Sequence, residues 1–182
     1  MLRSIYICIL AVVSLLISST AALSHSSAGP FHLSEVDHFA GRYTLLRDQS
    51  EDLKQAINRA TDTMNWLRRR MARRQLYEKL ALYPTVSLGR SGESFRTDLA
   101  GKATLLLPIS GAPVLWKAPF GETVQARLRL GPELLEIFEL KQGHCEHRFQ
   151  LSPDRRILTV EIKVTSKDLP KPVEYRLIYQ RA

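Results

Sequence analysis

The residues best suited to chemistry lie together at His144, Cys145, Glu146 and His147. On a strand, alternate side chains share one face, so Cys145 and His147 point the same way, together with Phe149. Thiol and imidazole groups suit zinc or copper, but a structural zinc site needs four ligands and the sequence offers no further candidates. We therefore predict a hairpin with an inward thiol and a hydrogen-bonded histidine, without a metal or other cofactor.

No other pattern indicates catalysis. A Gly-x-Ser-x-Gly motif is absent from the sequence, and the spacing of its glycines is typical of hairpin turns and not of a phosphate loop. Glu136 alternates with Leu134 and Phe138, so it is either an inward acid that pairs with a ligand or an arginine, or a residue on a wet face beside a bulge. We favour the wet face and predict that the protein is not an enzyme. A catalytic role would rest on Cys145 and His147 alone.

The last predicted strand carries Tyr175, Leu177 and Tyr179 on its apolar face. A buried tyrosine packs its ring and needs a partner for its hydroxyl, so the two tyrosines are either cavity wall or solid core. If the interior is hollow, the predicted ligand-binding wall consists of Tyr43, Cys145, His147, Phe149, Tyr175, Leu177 and Tyr179.

The segment WLRRRMARRQLYEKL (66–80) combines basic and apolar residues. Its arginines spread around most of a helix, whereas a helix that lies on a membrane separates charge from apolar residues more sharply. We interpret it as the second helix of a lid whose arginines face water; an anionic docking collar is the alternative. The predicted lid residues are Trp66, Met71, Leu76 and Tyr77, and the predicted anion-facing residues are Arg68, Arg69, Arg70, Arg73 and Arg74.

The elements that position these residues follow from periodicity. A short strand lies within 39–47, and Asp48 with Glu51 resembles a capping box that starts a helix. Apolar residues then recur every three or four positions and form one stripe. Along 49–80 this apolar stripe moves to a different face of the helix, which predicts two helices with a break within 63–72.

From Pro84 onwards, apolar and polar residues alternate between glycine- and proline-containing turns. This pattern indicates an antiparallel meander. The predicted strands are 85–90, 93–99, 102–107, 113–117, 122–130, 133–140, 145–151, 156–165 and 173–181. Because closure removes exposed edges, we predict a mainly β fold: a barrel of about ten strands, wide enough for a cavity, with a helix-turn-helix lid after the first strand.

The first residues resemble a secretory signal peptide: Arg3 precedes an apolar run from Ile5 to Ile17, and small residues follow. We expect a signal peptide at 1–22, a tail at 23–37 and one domain at 38–182, in a secreted or periplasmic protein. With 26 basic and 18 acidic residues the chain favours anionic partners. Nucleic acid is not predicted, because export separates the protein from it.

The order of elements resembles the calycins, which include the lipocalins and the fatty-acid-binding proteins. Phe39-Ala40-Gly41-Arg42-Tyr43 is similar to their Gly-x-Trp motif, and Tyr179-Gln180-Arg181-Ala182 is similar to the closing strand of the fatty-acid-binding proteins. The stretches 110–117 and 151–181 are also similar to secreted bacterial proteins with a lipocalin-like domain. This resemblance implies a barrel with a ligand cavity.

The sequence departs from the fatty-acid-binding proteins at one site. They usually hold the ligand carboxylate with an inward arginine two residues before the closing-strand tyrosine, where this sequence has Leu177. Arg176 is one residue away, which places it on the opposite face of the strand. The resemblance therefore implies a cavity but not a fatty acid.

Two functions remain open from the sequence. The first is an exported carrier of a small lipophilic molecule, whose basic lid touches an anionic membrane. The second is a non-catalytic interaction module that uses its arginine-rich helices to dock an envelope protein or an anionic surface.

Overall fold

The computed structural model describes residues 33–80, 82–131 and 133–182, with side chains from residue 36 onwards. The expected signal peptide (1–22) lies outside these residues, as does the first part of the expected tail. The helices are α1 (Leu33–His38), α2 (Leu53–Thr61) and α3 (Trp66–Lys79), and a short 3-10 turn spans Arg47–Gln49. The strands are β1 (Gly41–Leu45), β2 (Thr85–Ser91), β3 (Ser94–Leu99), β4 (Thr104–Pro108), β5 (Val114–Lys117), β6 (Thr123–Leu130), β7 (Leu134–Leu140), β8 (Gly143–Leu151), β9 (Ile157–Ser166) and β10 (Val173–Arg181).

The ten strands form one antiparallel sheet that curls into a nearly closed barrel. Their order is β4-β3-β2-β1-β10-β9-β8-β7-β6-β5, so the first strand pairs with the last. At the seam between β4 and β5 the described residues form no ladder, and Trp116 Nε1 instead donates to the Thr104 carbonyl at 3.1 Å. The predicted mainly β barrel, with its helix pair after the first strand, is confirmed.

Alternation along the strands puts apolar residues inside and polar residues outside. In β6, Val124, Ala126 and Leu128 are buried, whereas Gln125 and Arg127 between them are exposed. The inward residues of all ten strands and the apolar face of α2 supply the hydrophobic core. Burying one face of every strand fixes the register, because a shift by one residue would turn the whole apolar set outwards.

The first long helix starts four residues later than the sequence indicates. Asp52 is its N-cap and accepts from the Lys54 amide at 2.7 Å, whereas Asp48 lies in the 3-10 turn. Between them the chain still follows β10, with the Glu51 amide donating to the Arg176 carbonyl at 2.8 Å. Pairing with β10 therefore delays the helix.

The corner between α2 and α3 lies at residues 62–65, so it overlaps only the start of the predicted break. The Asn65 side chain caps α3 by accepting from the Arg68 amide at 2.9 Å. Two arginines brace the corner: Arg69 donates to the Met64 carbonyl at 2.7 Å, and Arg73 Nε donates to the Thr61 hydroxyl at 3.0 Å. Side-chain hydrogen bonds thus set the turn, which contains no glycine or proline.

The two helices differ in burial. The inner face of α2 buries Leu53, Ala56, Ile57 and Ala60 against the barrel. No residue of α3 is buried. The end of the barrel is therefore covered by α2, whereas α3 lies on the outside. Within the described chain, no helix is both long and apolar enough to cross a membrane.

The opposite end of the barrel carries α1, where the sequence analysis expected a tail. Val36 of α1 is fully buried in the core. The Tyr43 hydroxyl donates to the Phe39 carbonyl at 2.8 Å, and Arg181 Nη2 donates to the His38 carbonyl at 2.6 Å. These contacts attach α1 to the first and last strands. The helix is too short to give a clear period in the sequence.

We predict that Gly143→Ala destabilises the protein by about 1–3 kcal/mol or more, since overpacking a tight site has costs in that range. An added Cβ would lie 1.8 Å from the Thr165 carbonyl oxygen on β9. Gly89→Ala is the matched control, because nothing lies within 4 Å of the corresponding position on β2. Urea denaturation of both variants measures the difference, and equal midpoints would contradict the prediction.

Candidate functional site

The inner surface of the barrel contains all seven residues predicted to line a cavity. Six of them are buried: Tyr43, Cys145, Phe149, Tyr175, Leu177 and Tyr179. The seventh, His147, pairs in register with the inward Glu136 and with Ile162, so it shares their face. The structure thus brings the predicted wall residues onto one surface.

Glu136 also faces inwards, so the favoured interpretation of a wet face beside a bulge is wrong. It is 1% exposed, and β7 pairs with β8 without interruption from Leu134 to Leu140. Strand parity places it on the same face as Leu134 and Phe138, both of which are buried. The alternation was visible in the sequence; the partners of the carboxylate were not.

Those partners come from opposite walls of the barrel. The Thr97 hydroxyl on β3 donates to Glu136 Oε1. His147 Nδ1 on β8 lies 3.3 Å from Glu136 Oε2. A buried carboxylate is costly unless it is paired and hydrogen-bonded, and here both oxygens have a partner. We call Thr97, Glu136 and His147 the interior polar cluster.

The imidazole of His147 keeps its proton well above the usual range. Burial on its own lowers the pKa, but the adjacent Cys145 thiol and the Glu136 carboxylate outweigh burial and raise the pKa from 6.5 to about 10. At neutral pH His147 is therefore the cation that compensates Glu136. The two side chains together add no net charge to the interior.

The space beside His147 is not filled by protein. Its ring centroid lies 4.9 Å from that of Phe138 and 6.4 Å from that of Phe149, yet 27% of the side chain is accessible to a water-sized sphere. Towards α1 the interior is packed, with Phe95 and Phe149 edge to face at 6.4 Å. The inward side chain of His147 is therefore not fully enclosed by its neighbours.

Tyr175 points into the same region. Burial raises the pKa of its hydroxyl, and the nearby Cys145, Tyr179 and Tyr83 raise it further. Among the described residues no side chain or backbone group hydrogen-bonds to this hydroxyl, and no fully buried side-chain polar atom there lacks a partner. Among the described residues the Tyr175 hydroxyl is therefore a polar group that no hydrogen bond engages. Tyr179 differs, because its hydroxyl donates to the Tyr83 carbonyl at 3.3 Å.

Most of the predicted lid residues lie away from this space. Trp66 is 74% exposed and Met71 57% exposed, so neither packs over the opening, and Tyr77 is also exposed. Only Leu76 packs, partly buried, against the core. These exposed residues lie on α3, which the sequence placed over the opening.

The five arginines of α3 do not act as one set. Arg69 and Arg73 brace the helix corner, and Arg74 pairs with Glu78 at 2.9 Å. Arg68 and Arg70 have no carboxylate or hydrogen-bond partner for their side chains among the described residues. An open groove of about 640 Å³ follows this helix, lined by Trp66, Arg69, Arg70, Arg73, Arg74, Tyr77 and Glu78.

Two contributors escaped the sequence analysis, Thr97 and Tyr83. Thr97 alternates with Phe95 and Leu99, so its inward direction could have been derived, but its partner is on another strand. Tyr83 precedes β2 outside any periodic segment. Within the described part of the chain, no group of three or more histidine, cysteine or acidic residues is placed to hold a metal ion.

The charge state of His147 gives a testable pH dependence. Because the pKa is raised on folding, the stabilisation from the protonated ring is complete below about 6.5 and is lost as the pH rises through about 10. NMR titration should show the His147 ring protonated at pH 8, and Glu136→Gln should lower its pKa. A ring that titrates near 6.5 in the unmodified protein would contradict this assignment.

Comparison with known proteins identifies the fold. No family model and no curated protein sequence matches the chain. Fatty-acid-binding protein 1 of Echinococcus granulosus matches in structure with a TM-score of 0.51 and 14% identity, over 80% of this chain and 98% of that chain. The Schistosoma mansoni fatty-acid-binding protein, solved with arachidonic acid, gives 0.49 and 17%, over 81% and 98%. The fluorescent protein UnaG gives 0.48 and 12%, over 79% and 97%. The match to the Echinococcus granulosus protein shows that the chain shares the fold of that fatty-acid-binding protein.

Proposed function

We propose that this protein binds a small lipophilic molecule inside the barrel, as a carrier or binding protein and not as an enzyme. The observation that supports this most directly is the partly exposed side chain of His147 within an interior that, apart from the interior polar cluster and the tyrosine hydroxyls, is apolar. A space lined by apolar residues with a few convergent polar groups is typical of small-molecule sites. The shared fold with a protein named for binding fatty acids agrees with it.

We propose further that the protein acts after export. The support is the pattern at residues 1–22, in which a basic residue, an apolar run from Ile5 to Ile17 and small residues at Ala21 and Ala22 follow in the order of a signal peptide. Secretion or transfer to a periplasm fits the proposed carrier role.

Binding of Nile red, an uncharged apolar dye, tests the main proposal. The wild-type protein should bind the dye with increased fluorescence, and mass spectrometry of organic extracts should find a co-purified lipophilic molecule. Cys145→Phe places a ring next to His147 and should weaken dye binding at least about tenfold, since it fills the site. Leu115→Phe is the matched control, because Leu115 is 78% exposed on the outer face.

Absence of both dye binding and an extractable molecule would rule out the carrier proposal. Equal weakening by the two phenylalanine variants would place the dye elsewhere on the protein. Circular dichroism of each variant separates lost binding from lost folding.

A second proposed function is docking of α3 onto an anionic surface, in the first instance a membrane. The helix has no buried residue, and Trp66 and Tyr77 are exposed among its arginines. Aromatic side chains beside cationic ones suit the interface between lipid headgroups and acyl chains. An acidic envelope protein is the other partner that this surface fits.

Arg68→Glu with Arg70→Glu should reduce binding to vesicles that contain phosphatidylglycerol by about tenfold or more, since each basic residue near an anionic leaflet contributes about 1 kcal/mol. Neither side chain is used at the helix corner. Arg155→Glu with Arg156→Glu makes the same change in net charge on exposed residues of the β8–β9 turn, at the α1 end of the barrel, and should have a smaller effect. Co-sedimentation measures both, and equal losses would show a general charge effect.

A further inference from the structure

The described interior contains one acidic and one basic side chain, and their charges cancel. Apart from strand ends, the ionised groups at inward positions are Glu136 and His147, whose side chains face each other at 3.3 Å. Proton transfer between these two side chains leaves their combined charge at zero. The Thr97 hydroxyl occupies the other carboxylate oxygen, so the acid is satisfied without a ligand.

The two inward arginines lie at the end of the barrel next to α1 and are already engaged. Arg90 is exposed, and its Nε donates to the Gly92 carbonyl at 2.8 Å. Arg181 Nη2 donates to the His38 carbonyl at 2.6 Å and to the Tyr43 hydroxyl at 2.7 Å. Phe95 and Phe149 fill the interior on this side of His147, so neither guanidinium borders the space beside it.

The inner face of α2, which covers one end of the barrel, contributes no unpaired charge to the interior. The buried residues of α2 are Leu53, Ala56, Ile57, Ala60 and Thr61. Arg73 of α3 reaches a buried residue of α2, and its Nε is engaged there by donating to the Thr61 hydroxyl at the helix corner. A ligand anion inside the barrel would therefore meet no uncompensated cation, and burying an unpaired charge is strongly unfavourable.

The free polar groups of the interior are donors. The Tyr175 hydroxyl has no partner among the described residues. His147 uses Nδ1 on Glu136, and its other partner among the described residues is the Cys145 thiol, a weak acceptor, so a ligand oxygen can compete for the Nε2–H. A ligand oxygen with a lone pair would satisfy both donors without bringing a charge.

We propose that the barrel selects an uncharged lipophile carrying a hydrogen-bond acceptor, such as an ester or ketone, and discriminates against the corresponding carboxylate. This inference rests on the proposed binding function and adds the chemical class of the ligand. Glu136 is the specificity-determining residue, because its negative charge cancels the cation that an acidic ligand would otherwise use. Tyr175 and His147 orient the acceptor.

A matched pair of fluorescent probes tests the inference: cis-parinaric acid and its methyl ester, which differ only in the head group. At pH 6 the wild-type protein should bind the ester at least about tenfold more tightly than the acid, since the acid must leave its charge unpaired or take up a proton. Equal or tighter binding of the acid would overturn the inference. Nile red, measured in parallel, separates this result from a failure of the binding function, in which neither dye nor ester binds.

Two substitutions of the interior polar cluster should act in opposite directions. Glu136→Gln keeps a side chain that can accept from Thr97 but frees the charge of His147, so the ratio of acid to ester affinity should rise about tenfold. His147→Gln leaves Glu136 without its cation, so the ratio should not rise. If one variant fails to fold, the other still decides; a ratio unchanged by Glu136→Gln, or raised by His147→Gln, contradicts the role of the pair.

Arg73→Gln examines the competing arrangement, in which an acid binds at the covered end with its head group outside the interior. The acid-to-ester ratio should be the same in this variant as in the wild type. Tight acid binding that Arg73→Gln abolishes would place the head group at the helix corner and overturn the inference.

Discussion

A carboxylate inside an apolar barrel has to be compensated, and that requirement organises the interior of this protein. Glu136 on β7 contacts His147 on the neighbouring strand β8 and Thr97 on β3, across the barrel. This one side chain therefore links β3 to strands with which β3 does not pair. The bond to Thr97 spans the interior, and the side chain of His147 remains 27% exposed. Packing and charge compensation therefore meet at the same side chains.

The two helices after the first strand have different tasks. The inner face of α2 continues the apolar core, whereas α3 is held to it through Arg69 and Arg73 and exposes its remaining surface. An arginine-rich segment thus combines residues that build a corner with residues that face solvent. The surface and the interior can interact with different molecules, because no residue of α3 is buried in the core.

Local patterns in the sequence predicted most of the fold. Alternation located every strand from β2 to β10 to within two residues, since a half-buried strand repeats its environment every second position. Glu136 was misjudged because the partners that make an inward acid acceptable, Thr97 and His147, lie 39 and 11 residues away in the chain. The helix start was misplaced from Asp52 to Asp48 for a similar reason: backbone bonds to β10 decide it.

The position of β10 has a consequence for how the protein forms. It pairs with β1 on one side and β9 on the other, so the strands that precede it in the chain are two separate sheets, β1–β4 and β5–β9, until it arrives. Because β10 is the last of the described strands, the ladders that join the two halves of this barrel can form only after the other nine strands have been synthesised. Such sequence-distant pairing slows folding.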